Sequence, residues 1–249
     1  MNTNNAFYQH IVPLSMEDHA EYKIIENANY NFAVDTSAVY LTSTEFSQAS
    51  KVFPIVFVEQ DDQIQPAAVL GLEKHHNVFV TDRGSWTAKY IPAYIRRYPF
   101  ILAEVSDPEK DWIVCIDDQS SVLNKEQGVD LFHSGSVSEY TKNKINFLKS
   151  FQQASEDTHT FCEYIKELNL LEPMNAQVKM NKGDDLSVTG FMVISKAQLQ
   201  KLTEKQLKEL ITRDYMMLLY EHLSSLTNFS VLVDKIAAQR IIEGQSSYE

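Results

Sequence analysis

Two adjacent arginines, Arg96 and Arg97, lie in the run Tyr90-Ile-Pro-Ala-Tyr-Ile-Arg-Arg-Tyr98. A guanidinium is a planar fork of N–H donors. Two of them beside aromatic rings could clamp a carboxylate or phosphate through bidentate hydrogen bonds, or dock an acidic peptide. Trp86, Tyr90, Tyr94 and Tyr98 recur every four residues. That spacing puts them on one helical face, where they could line a peptide groove. Each reading has a structural alternative. Consecutive helical residues point about 100° apart, so one arginine would turn inward to pair with Asp117 or Asp118 while the other faces solvent. The aromatic stripe would then be core packing against a sheet, and Pro92 interrupts the segment that carries it. Asp117-Asp118 could place carboxylates at a strand end, or start a turn by accepting backbone N–H groups.

Other polar residues offer less. His75 and His76 are adjacent, and on an extended segment they point to opposite sides, so with Asp82 they chelate one ion poorly. His222 beside Glu221 reads as a surface or boundary histidine. The sequence contains no phosphate loop, dinucleotide fingerprint, nucleophile elbow or kinase signature. No cofactor and no metal are expected. The two cysteines, Cys115 and Cys162, sit in apolar runs far apart, which predicts buried, reduced thiols rather than a disulfide framework.

The elements that must position these groups follow from periodicity. Residues 1–20 read as a polar lead-in. Ser43 or Thr44 caps a short helix through Val52. Phe53–Val58, Ala67–Leu72 and Asn77–Val80 read as strands, as do Phe100–Val105 and Trp112–Ile116 across the turn Asp107-Pro-Glu-Lys. Asp82-Arg-Gly-Ser is a further turn, and Trp86–Tyr98 a short helix broken at Pro92. The first three strands read as an antiparallel meander, and with no long crossover between them the strands of 53–116 predict a mainly antiparallel sheet rather than a doubly wound one. From Ser138 the period becomes helical: Tyr140, Ile145, Leu148, Phe151 and Ala154, then Phe161, Ile165 and Leu168, with a pause at Glu156-Asp-Thr. A second hairpin is expected around Lys182-Gly-Asp-Asp. Ser195 opens a short helix, and Thr203-Glu-Lys-Gln is a capping box for a helix running to Leu223. Asn228 caps the last helix, and 244–249 is a tail. The expected fold is α+β, a single domain over residues 1–249, with a mainly antiparallel sheet in the N-terminal half and a helical C-terminal half packed on it.

Composition bounds the function. The 249 residues are 44% hydrophobic, enough for a sizeable core. Lys and Arg number 22 against 34 Asp and Glu, a net charge of −12. That balance argues against nucleic acid and anionic lipid as partners. The longest apolar runs, Phe53–Val58 and Ala67–Leu72, fall far short of the roughly 20 residues a membrane span needs. No positively charged start leads into an apolar stretch, so the expectation is a soluble, cytoplasmic protein.

Several blocks carry a resemblance: Phe53-Pro-Ile-Val-Phe-Val, Ala68-Val-Leu-Gly-Leu, Asn77-Val-Phe-Val, Gly84-Ser-Trp86, Tyr90-Ile-Pro-Ala-Tyr-Ile-Arg-Arg-Tyr-Pro-Phe, Gly190-Phe-Met-Val-Ile and Tyr220-Glu-His-Leu-Ser-Ser-Leu-Thr-Asn-Phe. Over about residues 7–240 the chain resembles the SapC family. The resemblance implies that family's fold and an association with surface-layer protein transport or peptide export. Three functional readings follow. The first is a non-enzymatic accessory protein binding a protein or peptide client through Trp86, Tyr90, Tyr94, Arg96, Arg97, Tyr98 and Asp117. The second is an enzyme without a familiar motif, acting on a small anion near Arg96, Arg97 and Asp117. The third is a structural subunit of a homo-oligomer with the C-terminal helices as its interface.

Overall fold

The β-branched run after Phe53 becomes the centre of the largest sheet, because Ile55, Val56 and Phe57 are buried at consecutive positions and both faces of their strand are covered. The computed structural model describes residues 7–26, 29–107, 110–178 and 186–246. The first elements are β1 (Ile11–Pro13), α1 (Met16–His19), β2 (Lys23–Ile24), β3 (Ala38–Tyr40), α2 (Phe46–Ala49), β4 (Ile55–Gln60) and β5 (Gln63–Val69). Next come α3 (Ala93–Arg96), β6 (Phe100–Asp107), β7 (Lys110–Asp117) and four two-residue strands, β8 to β11, at Leu123–Asn124, Val129–Asp130, Phe132–His133 and Ser136–Val137. The rest is α4 (Glu139–Glu167), β12 (Leu171–Val178), β13 (Leu186–Ile194), α5 (Lys196–Leu199), α6 (Glu204–Thr212), α7 (Tyr215–Ser225) and α8 (Phe229–Ser246).

The α+β class stands: antiparallel sheets occupy the N-terminal half and helices most of the C-terminal half. The strands of 53–116 are antiparallel as expected, but they do not form one sheet. β4 and β5 belong to a five-stranded sheet of order β12-β13-β4-β5-β3, whereas β6 and β7 pair with β1 in a separate three-stranded sheet. The hairpin β12–β13 thus brings residues from the second half of the chain into the first-half sheet. The expected turns at 107–110 and around Lys182, and the end of the tail, fall at least partly outside the described residues. α4 packs on β5 and β6, and α7 on α2, β4 and β13, so the core lies between the two sheets and these two helices. None of the described helices is long and apolar enough to cross a membrane.

Local chemistry overrides pattern in several places. Asn77–Val80 is not a strand: Oδ1 of Asn77 accepts from Phe79 N while its amide donates to Ala33 O, closing a turn before the single bridge Val80–Trp86. The turn at Asp82-Arg-Gly-Ser is present, with Gly84 at φ 75° donating to Thr81 O. α4 runs unbroken through Glu156-Asp-Thr; within it the Thr158 hydroxyl donates to Ala154 O and accepts from Ser43 N at 2.7 Å, which ties the helix to the capped turn. The expected helix from Thr203 does have its capping box, but it divides at Asp214, which takes a left-handed conformation between α6 and α7. Asn228 does not cap α8; its amide donates to Ser50 O and Phe53 O.

The lead-in is part of the core from residue 7 onward. Phe7 is buried against Phe32, Tyr94 and Tyr98, and β1 pairs with β7. Ile211, Met217, Tyr220 and Ile241 are large apolar side chains left exposed on α6 to α8.

Candidate functional site

The turn that carries the arginines is shorter than its aromatic spacing suggests. Trp86 is tied back to Val80, and its indole N–H donates to Tyr90 O, so residues 86–92 are not helical. Pro92, in extended conformation, is the N-cap of α3, and Pro99 ends it two residues beyond Arg97. The four-residue aromatic stripe on one helical face therefore does not exist.

Glu45 anchors this turn. In the capping box Thr42-Ser-Thr-Glu45, its carboxylate accepts from Thr42 N, and it also accepts from Ala93 N at 2.7 Å and Tyr90 Oη at 2.8 Å. A buried carboxylate with this many donors is adequately solvated by protein. The cap is Thr42, one or two residues before the Ser43 or Thr44 that the pattern predicts, and the Thr-x-x-Glu spacing is the signal that marks Glu45 as its partner.

Asp117 anchors the other side. Fully buried, it accepts from Gln9 N and His10 N at 3.0 Å, from Gln119 N at 3.3 Å and from Tyr98 Oη at 3.3 Å. It is a structural acceptor that fastens the lead-in, and it lines neither of the clefts described next. The ion pair with Arg96 or Arg97 is absent, and Asp118 pairs with His10 instead.

The two arginines part company across α3. Arg96 is exposed, with Nε donating to Ile91 O and its guanidinium over the rings of Phe147 and Tyr90. It lines a cleft of about 560 Å³ floored by Ile91, Ile95 and Phe147 and walled by Tyr98, Tyr140 and Lys144. Burial lowers the pKa of Lys144; Glu26 opposes that shift and the charge of Arg96 adds to it. Burial pushes Tyr98 and Tyr140 up to about 12, so both remain phenol donors.

Arg97 turns the other way. It is buried, stacked with its guanidinium 3.9 Å from the centre of the Tyr94 ring, and lines a second cleft of about 690 Å³ with Tyr40, Trp112 and Phe151. The hydroxyls of Ser155 and Thr158 beside it donate to carbonyls of their own helix, so neither is presented as a nucleophile to a base. Arg96 and Tyr98 thus share one cleft and Arg97 and Tyr94 the other. Trp86, Tyr90 and Asp117 support the turn between them. Among the described residues no group of three metal-ligating side chains converges, and His76 pairs with Glu73.

Three of the blocks that carry the resemblance meet elsewhere, at a seam in the large sheet. β13 and β4 share the pair Met192–Phe57. Two residues along, α7 inserts side chains between the strands: Ile194 N donates to His222 Nε2 at 3.0 Å, and Ile55 N donates to Ser225 Oγ at 2.9 Å. His222 is fully buried, not at the boundary expected from sequence. Its Nδ1, the protonated nitrogen, has no acceptor in hydrogen-bonding geometry. Burial pushes its pKa down to about 4, with the Ile55 backbone opposing.

The SapC family model matches residues 14–232. The chain belongs to the SapC family. No curated protein and no solved structure matches it. The family blocks at 53–58, 190–194 and 220–229 are those that build the seam, which gives them a structural role. The block at 90–100 is the turn between the clefts.

Proposed function

We propose that this SapC family member is a non-enzymatic cytoplasmic accessory protein that binds a protein or peptide client in the Arg96 cleft. The observation that carries the reading is the pairing of two cations, Arg96 and Lys144, with an apolar floor in a space the size of a ligand site. Neither cation has a carboxylate within 4.0 Å among the described residues. That chemistry suits an extended segment with one acidic residue between apolar neighbours. A longer acidic run would be repelled by the net charge of −12. Contact would be made at short range, through the Arg96 fork and the rings of Phe147 and Tyr140. Cys115 and Cys162, both free and buried, fit a reducing compartment. The family resemblance supplies the context of surface-layer protein or peptide export. The enzyme reading loses support because the Asp117 carboxylate is occupied by four donors.

A photo-cross-linking residue at Asn143, on the cleft wall, tests the proposal in cells of the native source. One reproducible protein adduct at position 143, absent from a control position at Ile211 and lost in Arg96→Ala/Lys144→Ala, is the expected result. Adducts no different from the control would overturn it.

A further inference from the structure

Arg97 carries a charge that its own surroundings leave without a counter-ion. The residue is only 9% exposed, its Nε is buried without an acceptor, and among the described residues no carboxylate oxygen lies within 4.0 Å of the guanidinium. The buried carboxylates that flank the turn, Glu45 and Asp117, are both occupied by neutral donors. What surrounds Arg97 is aromatic: Tyr94 at 3.9 Å, Phe151 at 5.2 Å and Tyr8 at 5.8 Å from its Cζ. The Tyr8 phenol is pushed up by burial, and the charge and hydrogen bonding of Arg97 pull it part of the way back. Ring faces attract a guanidinium but offset only part of the cost of taking it out of water. A buried cation is ordinarily completed by an anion with good hydrogen-bond geometry.

The geometry points to a binding site for a carboxylate carried on an aromatic or aliphatic body, with the carboxylate on Arg97 and the body between Tyr40, Phe151 and Trp112. The groove of about 690 Å³ is large enough for such a molecule. The terminal nitrogens of a guanidinium match the two oxygens of a carboxylate. Phosphate fits less well: Glu104 and Glu156 also line the groove, and they repel a dianion about twice as strongly as a monoanion. The carboxylate could belong to a free organic acid or to the C-terminus of a peptide. The site lies across α3 from the Arg96 cleft and does not depend on the client proposed there.

Isothermal titration of the full chain separates these cases. The probes are phenylacetate, a pentapeptide ending in phenylalanine with a free C-terminus, the same peptide amidated, and inorganic phosphate. At least one free carboxylate should bind. Amidated peptide and phosphate should each bind at least tenfold more weakly than that probe. The tighter of phenylacetate and free peptide identifies the source. Arg97→Lys should weaken binding at least tenfold although the charge is kept, because lysine lacks the fork. Glu104→Gln should tighten it several-fold, and Gln152→Glu on the groove wall should weaken it several-fold. Both leave Arg97 in place, so they decide the question even if Arg97→Lys fails to fold. Absence of binding by both free carboxylates, equal binding of phosphate, or affinities unmoved by the rim substitutions would overturn the site.

Discussion

The turn at Arg96-Arg97 and the seam at Ile55 and Ile194 solve one problem in opposite ways. Each must satisfy backbone N–H groups that no ladder or helix can reach. Around the turn two carboxylates do it, Glu45 and Asp117, gathering donors from Thr42, Ala93, Gln9, His10 and Gln119. At the seam a neutral imidazole and a hydroxyl do it, one donor each. A carboxylate has lone pairs for several donors, and a buried one survives only when they are filled. A single donor deep in an apolar core is better met by a group that need not be charged. The difference teaches that a carboxylate is used where several donors converge on one side chain, and a neutral group where a helix meets a single donor in a sheet.

The largest effect is expected from Asp117→Ala. It strands three backbone donors and the Tyr98 hydroxyl and releases the lead-in, at a cost of about 4 kcal/mol, or roughly 10 °C in melting temperature for a chain of this size. A loss below about 1 kcal/mol in a denaturant titration would break the charged half of the comparison.

Next comes acid. The folded His222 is neutral, with a pKa pushed down to about 4, while the unfolded residue titrates at its ordinary value of 6.5. Below that value the unfolded chain takes up a proton that the folded chain refuses. Stability from this residue is therefore full above pH 6.5, falls as pH drops toward 4, and the total loss is about 3 kcal/mol. His222→Gln removes the titration, so its stability curve between pH 7 and 4 should be flatter than that of the unchanged protein. Parallel curves would break the neutral half.

The smallest effect is expected from Arg96→Ala. Its side chain is exposed and makes no ion pair among the described residues, so stability should change by less than about 1 kcal/mol, read from the same titration. A larger loss would make Arg96 a structural residue and erase its contrast with the buried Arg97.

The regular elements were legible wherever one segment's own pattern decides them. The strand after Phe53, the long helix from Ser138 and the caps at Ser195 and Thr203 all follow from local periodicity or local side-chain bonds. The site was legible as a set of residue types: Arg96, Arg97, Tyr94 and Tyr98 do face clefts. Their division between two clefts was not, because Pro92 and the Trp86 tether replace a helix with a bend. Nothing local shows that Asp117 fastens residues more than a hundred positions earlier. Nothing local shows that His222 replaces a ladder partner either, since both depend on contacts made only in the folded chain. Asn77 shows the same limit on a smaller scale: its side chain takes backbone groups of Ala33 and Phe79 in a segment whose pattern reads as strand.

One consequence follows from the unbroken run of α4. Lys144 in the first cleft and Ser155 in the second lie on the same stripe of this helix, three turns apart. At 1.5 Å per residue the helix sets them about 16 Å from one another. A straight rod of fixed pitch is a ruler: an extended chain lying along it would cover that distance in about five residues.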